Sequence, residues 1–338
     1  MSIGIAGMGW VTPLGSDLEK VYAQCLRGVV PEPKTFAHPE TGRALPYFAV
    51  PPETLAHLAR NPRLRRSSTI SHLGVAAGLA ALEHAGAAPT SRTAVVFAIS
   101  DGGVAYTRRF YEQIVRQGAN TASPLLFPET VYNAPASHLA AQLGIDGASY
   151  TLVGDASVGM SALHFAGELI ETGDADQVVV VAAQELDWIL CEAYRTWRLA
   201  RTPLAEGAAA LVLRREGRWK LHTHPGAPFF RRSEAGAAFA SVLADFAGAK
   251  VDHVIGCANG TFIDRAETAA LAAHFQNVPA CSLKKSLGES PSASALQQTI
   301  AALLSARRTL VTVVGFNHQC GAALVSPEAH STESLSGY

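Results

Sequence analysis

Charge is sparse in this sequence. Asp, Glu, Lys and Arg supply 16% of its 338 residues, against a usual share of about 25%. The 27 basic and 28 acidic side chains leave a net charge of −1. With no basic excess to hold phosphates or anionic lipid, nucleic acid and membrane surfaces are excluded as leading partners. Cysteine is scattered: Cys25, Cys191, Cys257, Cys281 and Cys320 form no C-x-x-C pair, and their number is odd. That speaks against a zinc knuckle or a disulfide framework, so reduced thiols and no metal or cofactor are expected. The strongest apolar run, Val178–Ala183, is far too short to cross a bilayer. The opening MSIGIAGMGWVTPLG lacks the charged region and apolar stretch of a signal peptide, so the expected location is cytoplasmic.

Three familiar signatures are also missing. Gly4, Gly7 and Gly9 fail G-x-G-x-x-G, because Thr12 and Pro13 stand where the third glycine and the helix start belong. They read as a strand-to-loop corner. Gly154-Asp-Ala-Ser157-Val-Gly159 misses the G-x-S-x-G spacing by one, which removes a hydrolase elbow. His222 and His224 share one side of a strand but have no third ligand placed by sequence, and read as exposed edge histidines.

What is present is an alternation of short apolar runs with Ala-rich helical patterns. Strands are predicted at Ile3–Ala6, Thr93–Ser100, Tyr150–Val153, Gln177–Ala183, Ala208–Leu213, Trp219–His222, His253–Ala258, Leu310–Gly315 and Ala322–Val325. Helices are predicted at Thr69–Ala85, Tyr106–Gln117, Ala136–Leu143, Ser157–Thr172, Glu234–Ala247, Arg265–Phe275 and Ala293–Ala306. Runs apolar on both faces suit strands covered by helices on both sides, which makes this an α/β chain. The expected division is 1–216, 217–328 and a polar tail at 329–338, with a charged break near Arg215–Arg218.

Four segments, in order and spanning nearly the whole chain, resemble the β-ketoacyl-acyl-carrier-protein synthases of the thiolase-like superfamily. Ile3-Gly-Ile-Ala-Gly-Met-Gly-Trp-Val-Thr-Pro-Leu-Gly15 resembles the opening strand and its V-T-P-x-G corner. Phe127–Glu185 is similar to the stretch holding the nucleophile strand and nucleophile helix. Asn259-Gly-Thr261 with Asp264 and Glu267 resembles H-G-T-G-T…D…E. Ser282-Leu-Lys284 through Gly288-Glu289, with Gly315-Phe316, is similar to S-x-K-x-x-x-G-H and the G-F-G-G gating loop.

The departures fall on the reactive groups. Ala156 stands at the family's cysteine position and has no atom to carry an acyl thioester. The two histidine positions hold Asn259 and Glu289, and a Glu289 carboxylate is expected to oppose both a malonyl carboxylate and the enolate it leaves. Lys284 is retained. The gating loop reads Gly315-Phe316-Asn317-His318, where two residues with Cβ atoms replace glycines and are expected to stiffen it. The R-P-F-D…G-E-G-A stretch is shortened to LARTPLAEGA between Arg198 and Ala209. Ser157 and Cys320 are the candidate substitute nucleophiles, Cys320 with His318 as partner. Ser157 reads more readily as a helix-capping residue, Asp155 can cap the same turn, and His164 suits a satisfied core histidine.

The resemblance implies a thiolase-like five-layered αβαβα fold built from two similar halves, dimerising through Ala148–Gly154. Together with the lost triad it implies a non-condensing subunit similar to the chain-length factors of type II polyketide systems. Such a subunit pairs with an active ketosynthase, works with acyl carrier protein and shapes the acyl tunnel. Phe110, Tyr111 and Ile114 are the tunnel candidates, against ordinary core packing as the alternative. The rival functions are an acyltransferase or thioesterase rebuilt on Ser157 or Cys320, and a silent homodimer that binds acyl carrier protein or an acyl ligand.

Overall fold

A computed structural model describes residues 2–58 and 60–327; the predicted tail at 329–338 lies outside the described residues. The first part of the chain runs β1 (Ser2–Val11), α1 (Leu18–Leu26), β2 (Lys34–Ala37), β3 (Ala44–Phe48), α2 (Thr69–Ala85), β4 (Thr93–Ile99), α3 (Val104–Gln117) and α4 (Ala134–Leu143). It continues with β5 (Ser149–Val153), α5 (Val158–Glu171), β6 (Gln177–Gln184), α6 (Trp188–Trp197), β7 (Leu204–Ala205) and β8 (Gly207–Arg214). Then come β9 (Trp219–Thr223), β10 (Ala227–Pro228), α7 (Ala235–Ala244), β11 (His253–Gly256), α8 (Phe262–His274) and β12 (Ala280–Ser282). The last elements are α9 (Lys284–Leu287), α10 (Ser294–Leu304), β13 (Thr309–Val314) and β14 (Gln319–Pro327).

The strands order as β12-β11-β13-β14-β9-β1-β8-β6-β4-β5. One pattern occurs twice. In β5-β4-β6-β8-β1 the first two pairs are parallel and the last two antiparallel, and β12-β11-β13-β14-β9 repeats this. The two copies meet where Ser2–Ile5 pairs with Trp219–His222. α5 and α10 pack on each other and each touches strands of both copies, so they form a middle helical layer. α2 and α4 cover one outer face, α7 and α8 the other. The result is helix, sheet, helix, sheet, helix.

The sequence explains this layering. TAVVFAI of β4 and QVVVVAAQ of β6 are buried at every residue, because helices cover both sides. α5 and α10 approach closely because Gly159 faces α10: a Cβ there would lie 2.8 Å from the Ala295 Cβ and the Leu296 Cδ1. Gly7 and Gly9 correct the predicted corner. They sit inside β1, which runs on to Val11, and a Cβ on either would strike the α2 backbone at Ala81 or Ala77. His222 and His224 are likewise not at an edge. β9 lies between β14 and β1, and both histidines are half-buried. Among the described residues, no group of His, Cys, Asp and Glu is placed to hold a metal ion, and no helix is long and apolar enough to cross a membrane.

Glu185, one residue past β6, is 1% exposed and accepts the Ile70 and Ala105 N–H groups at 2.9 Å each. It thereby ties the first turns of α2 and α3 together. Burial pushes its carboxyl up to about 7, against the pull of those N–H groups. The folded state therefore holds this proton more tightly than the unfolded chain, whose ordinary value is 4.5, and stability falls as pH rises between the two. We expect the native protein to lose up to about 2 kcal/mol from this group between pH 5.5 and pH 8. Urea unfolding at both pH values checks this: Glu185→Gln should flatten the difference, and an equal loss in both proteins would contradict it.

Candidate functional site

Ala156 lies just before α5, where the chain leaves β5, and is 8% exposed. Ser157 holds the N-cap position without making a side-chain cap bond, which corrects the capping expectation for this residue. Asp155 instead closes the turn that leads into α5, with Oδ1 accepting the Ser157 N–H two residues on at 3.1 Å. The Ser157 hydroxyl lies 3.1 Å from Asp155 Oδ1 and 2.9 Å from Gln319 Oε1.

The gating-loop residues converge on the same point. The Asn317 N–H donates to Asp155 Oδ2 at 2.9 Å. The Asn317 amide nitrogen, turned toward the carboxylate, donates at 2.8 and 2.6 Å. Phe316 packs edge-on against Tyr194, with centroids 5.5 Å apart, and the His318 ring lies 5.1 Å from that of Phe229. Burial pushes the Asp155 carboxyl up against the opposing pull of its hydrogen bonds. Burial also drives the Tyr194 phenol well up, helped by the carboxylates of Asp101, Glu289 and Asp155 around it.

Asn259 is 4% exposed and ties its loop to the segment after α6. Its Nδ2 donates to the Leu199 carbonyl at 3.2 Å, and its Oδ1 accepts the Thr261 hydroxyl at 2.6 Å. Lys284 and Glu289, 4% and 3% exposed, form an ion pair in which Nζ donates to Oε1 at 2.9 Å and to Oε2 at 2.7 Å. Burial pulls the Lys284 ammonium down, but Glu289, Cys257 and Glu267 together outweigh it and raise it. The Glu289 carboxylate expected to oppose a malonyl carboxylate and its enolate is thus paired with Lys284. The shortened stretch holds the same residue by its backbone: Ala205 N–H donates to the Glu289 carbonyl at 2.8 Å, and Glu289 N–H to that of Pro203 at 2.9 Å. Lys284 and Asn259 line a cleft of about 520 Å³ with Arg201, Pro203 and Lys285.

Cys320 does not fit a nucleophile's role. It is 1% exposed, its thiol donates to the Ala227 carbonyl at 3.3 Å, and burial pushes it up to about 11. A thiol so raised carries almost no thiolate at neutral pH. His318 turns to Phe229 rather than to Cys320. Ser157 and Cys320 share only a small cavity of about 160 Å³. His164 is satisfied as expected, its Nδ1 lying 3.0 Å from the Thr223 hydroxyl.

The tunnel candidates sit apart, on α3, and none is core. α3 buries no residue; Tyr111 is 59% exposed, and Phe110 packs on Tyr111 and Phe127 with centroids 5.6 and 5.8 Å away. β5 forms the outer edge of the sheet, with Tyr150 and Val153 exposed. Sequence reasoning missed Tyr194 and Gln319. The spacing of Leu190, Cys191 and Tyr194 after the cap at Asp187 was the available signal for α6.

The family model for the beta-ketoacyl synthase N-terminal domain matches residues 1–217. The 3-oxoacyl-[acyl-carrier-protein] synthase 2 of Vibrio cholerae serotype O1 is 24% identical over 190 residues, covering 54% of this chain and 45% of that protein. The chain thus spans about half the length of the curated relatives it matches. The ishigamide ketosynthase/chain length factor superposes with a TM-score of 0.80 at 20% identity, covering 97% of this chain and 99% of that one. A ketosynthase in complex with its chain length factor from Xenorhabdus doucetiae gives 0.78 at 17% identity, covering 96% and 98%. A beta-ketoacyl synthase from Burkholderia phymatum gives 0.81 at 18%, covering 96% and 99%. These likenesses carry the thiolase-like fold, and the matched domain carries the family: the chain belongs to the beta-ketoacyl synthases.

Proposed function

We propose that this chain is a non-condensing, chain-length-factor-type subunit. It pairs with an active β-ketoacyl synthase, meets the acyl carrier protein and shapes the acyl tunnel in polyketide, polyene or fatty-acid-like biosynthesis in the cytoplasm. Its two ketosynthase-like halves are 1–216 and 217–328. One observation carries this reading: the turn before α5 presents Ala156, and Asp155, Asn259, Lys284 and Glu289 around the site are bonded within the protein. The free β5 edge and the unburied face of α3, bearing Tyr111 and Val115, support a partner covering that side.

Co-expression with an intact ketosynthase tests the reading by the stoichiometry of the purified complex. A one-to-one complex is expected. Val153→Asp places a charge on the exposed β5 edge and is expected to weaken it at least about tenfold. A stable homodimer that ignores the ketosynthase would favour the silent homodimer. An acyl adduct at Ser157, seen by intact mass, would favour the rebuilt site.

A further inference from the structure

We propose that Asp155 is a positioning residue that pins the 315–319 loop over residue 156, making a fixed wall of what the gating-loop resemblance would have move. The inference deepens the proposed function, resting on it only for the meaning of residue 156; the pin stands on contacts. The carboxylate is 2% exposed and has no cationic partner among the described residues, so N–H and O–H donors must satisfy it. It takes the Ser157 N–H from α5, and from the loop the Asn317 N–H and side-chain amide. Gly315 is seated directly on it, since a Cβ there would fall 1.9 Å from Oδ2.

The rest of the loop is held as firmly. Gly315 N–H closes the turn onto the Gln319 carbonyl at 2.7 Å, and the His318 carbonyl accepts the Phe229 N–H at 2.9 Å. His318 adopts φ +73°, a conformation that favours glycine, with its ring against Phe229. A residue persists in such a conformation where its surroundings over-determine it. Phe316 on Tyr194 and Gln319 beside the Ser157 hydroxyl complete the seal.

Two measurements on the full chain test the pin. Amide exchange of the loop should be slow in the native protein and at least about tenfold faster in Asp155→Ala, since each charged hydrogen bond lost is worth about that factor. Denaturant unfolding must show that the rest of the fold remains. Asp155→Asn keeps one acceptor oxygen and should fall between. Asn317→Ala removes only side-chain bonds and serves if Asp155→Ala does not fold. As a reporter, Ala156→Cys should react slowly with iodoacetamide and faster once Asp155→Ala is added, with the adduct located by peptide mass. Equal exchange and equal labelling with and without Asp155 would overturn the pin and leave the subunit reading standing. Failure to pair with a ketosynthase would do the reverse.

Discussion

Glu289→Ala is expected to lower the unfolding free energy by about 3–5 kcal/mol, because it strands the Lys284 ammonium in the interior. Lys284 is 4% exposed and Glu289 takes two of its three protons, so removing the carboxylate leaves the buried ammonium without its main partner. Taking two charges out of water is itself costly, and the pair is thus weak support for stability as a whole. The matching expectation is that Lys284→Met with Glu289→Leu is near neutral, or stabilising by up to about 4 kcal/mol, since neither member of the pair is left without the other. Urea unfolding of Lys284→Met, Glu289→Leu and the double variant gives the coupling directly. A Glu289→Ala loss below about 1 kcal/mol would mean that water or another carboxylate reaches Lys284, and the closed pair would be wrong.

That pair marks how far the sequence could be read. Strand and helix positions were legible wherever a long run was apolar on both faces or periodic: α2 occupies Thr69–Ala85 as predicted, and β4 and β6 fall within a residue of their predicted ends. α1 and α6 were not seen, because short helices that bury only two or three side chains leave a weak periodic trace. β2 and β3 form a small separate sheet with β7 and show no clean alternation. At the site, the residues standing at the positions the resemblance names were legible, since Ala156 is alanine in any fold. The bonds those residues make were not. Nothing in the spacing of Lys284 and Glu289 says they pair, and nothing in Asp155 and Asn317, 162 residues apart, says they meet. Sequence chemistry treats each side chain as free, whereas burial forces each polar atom to find a partner.

Restoring the thiol alone is therefore expected not to restore condensation. Ala156→Cys recovers a sulfur beside the N-terminus of α5, where unsatisfied N–H groups favour a thiolate. The neighbouring Asp155 carboxylate works against this, since a like charge disfavours ionisation of the thiol. With Asn259 and Glu289 at the two histidine positions, as the resemblance implies, the decarboxylation step then lacks both imidazoles. Asn259 cannot fully replace one, because its amide already donates to Leu199 and accepts from Thr261. Glu289 is bound to Lys284 and donates nothing. A single missing donor to a developing oxyanion costs about 100- to 1,000-fold. We expect malonyl-carrier decarboxylation by Ala156→Cys to run at least about a thousandfold below an intact ketosynthase. The triple change Ala156→Cys, Asn259→His, Glu289→His supplies the imidazoles but leaves Lys284 without its carboxylate, so its unfolding curve must be measured beside its turnover. Turnover by Ala156→Cys within about tenfold of the intact enzyme would show that these residues do not disable the site.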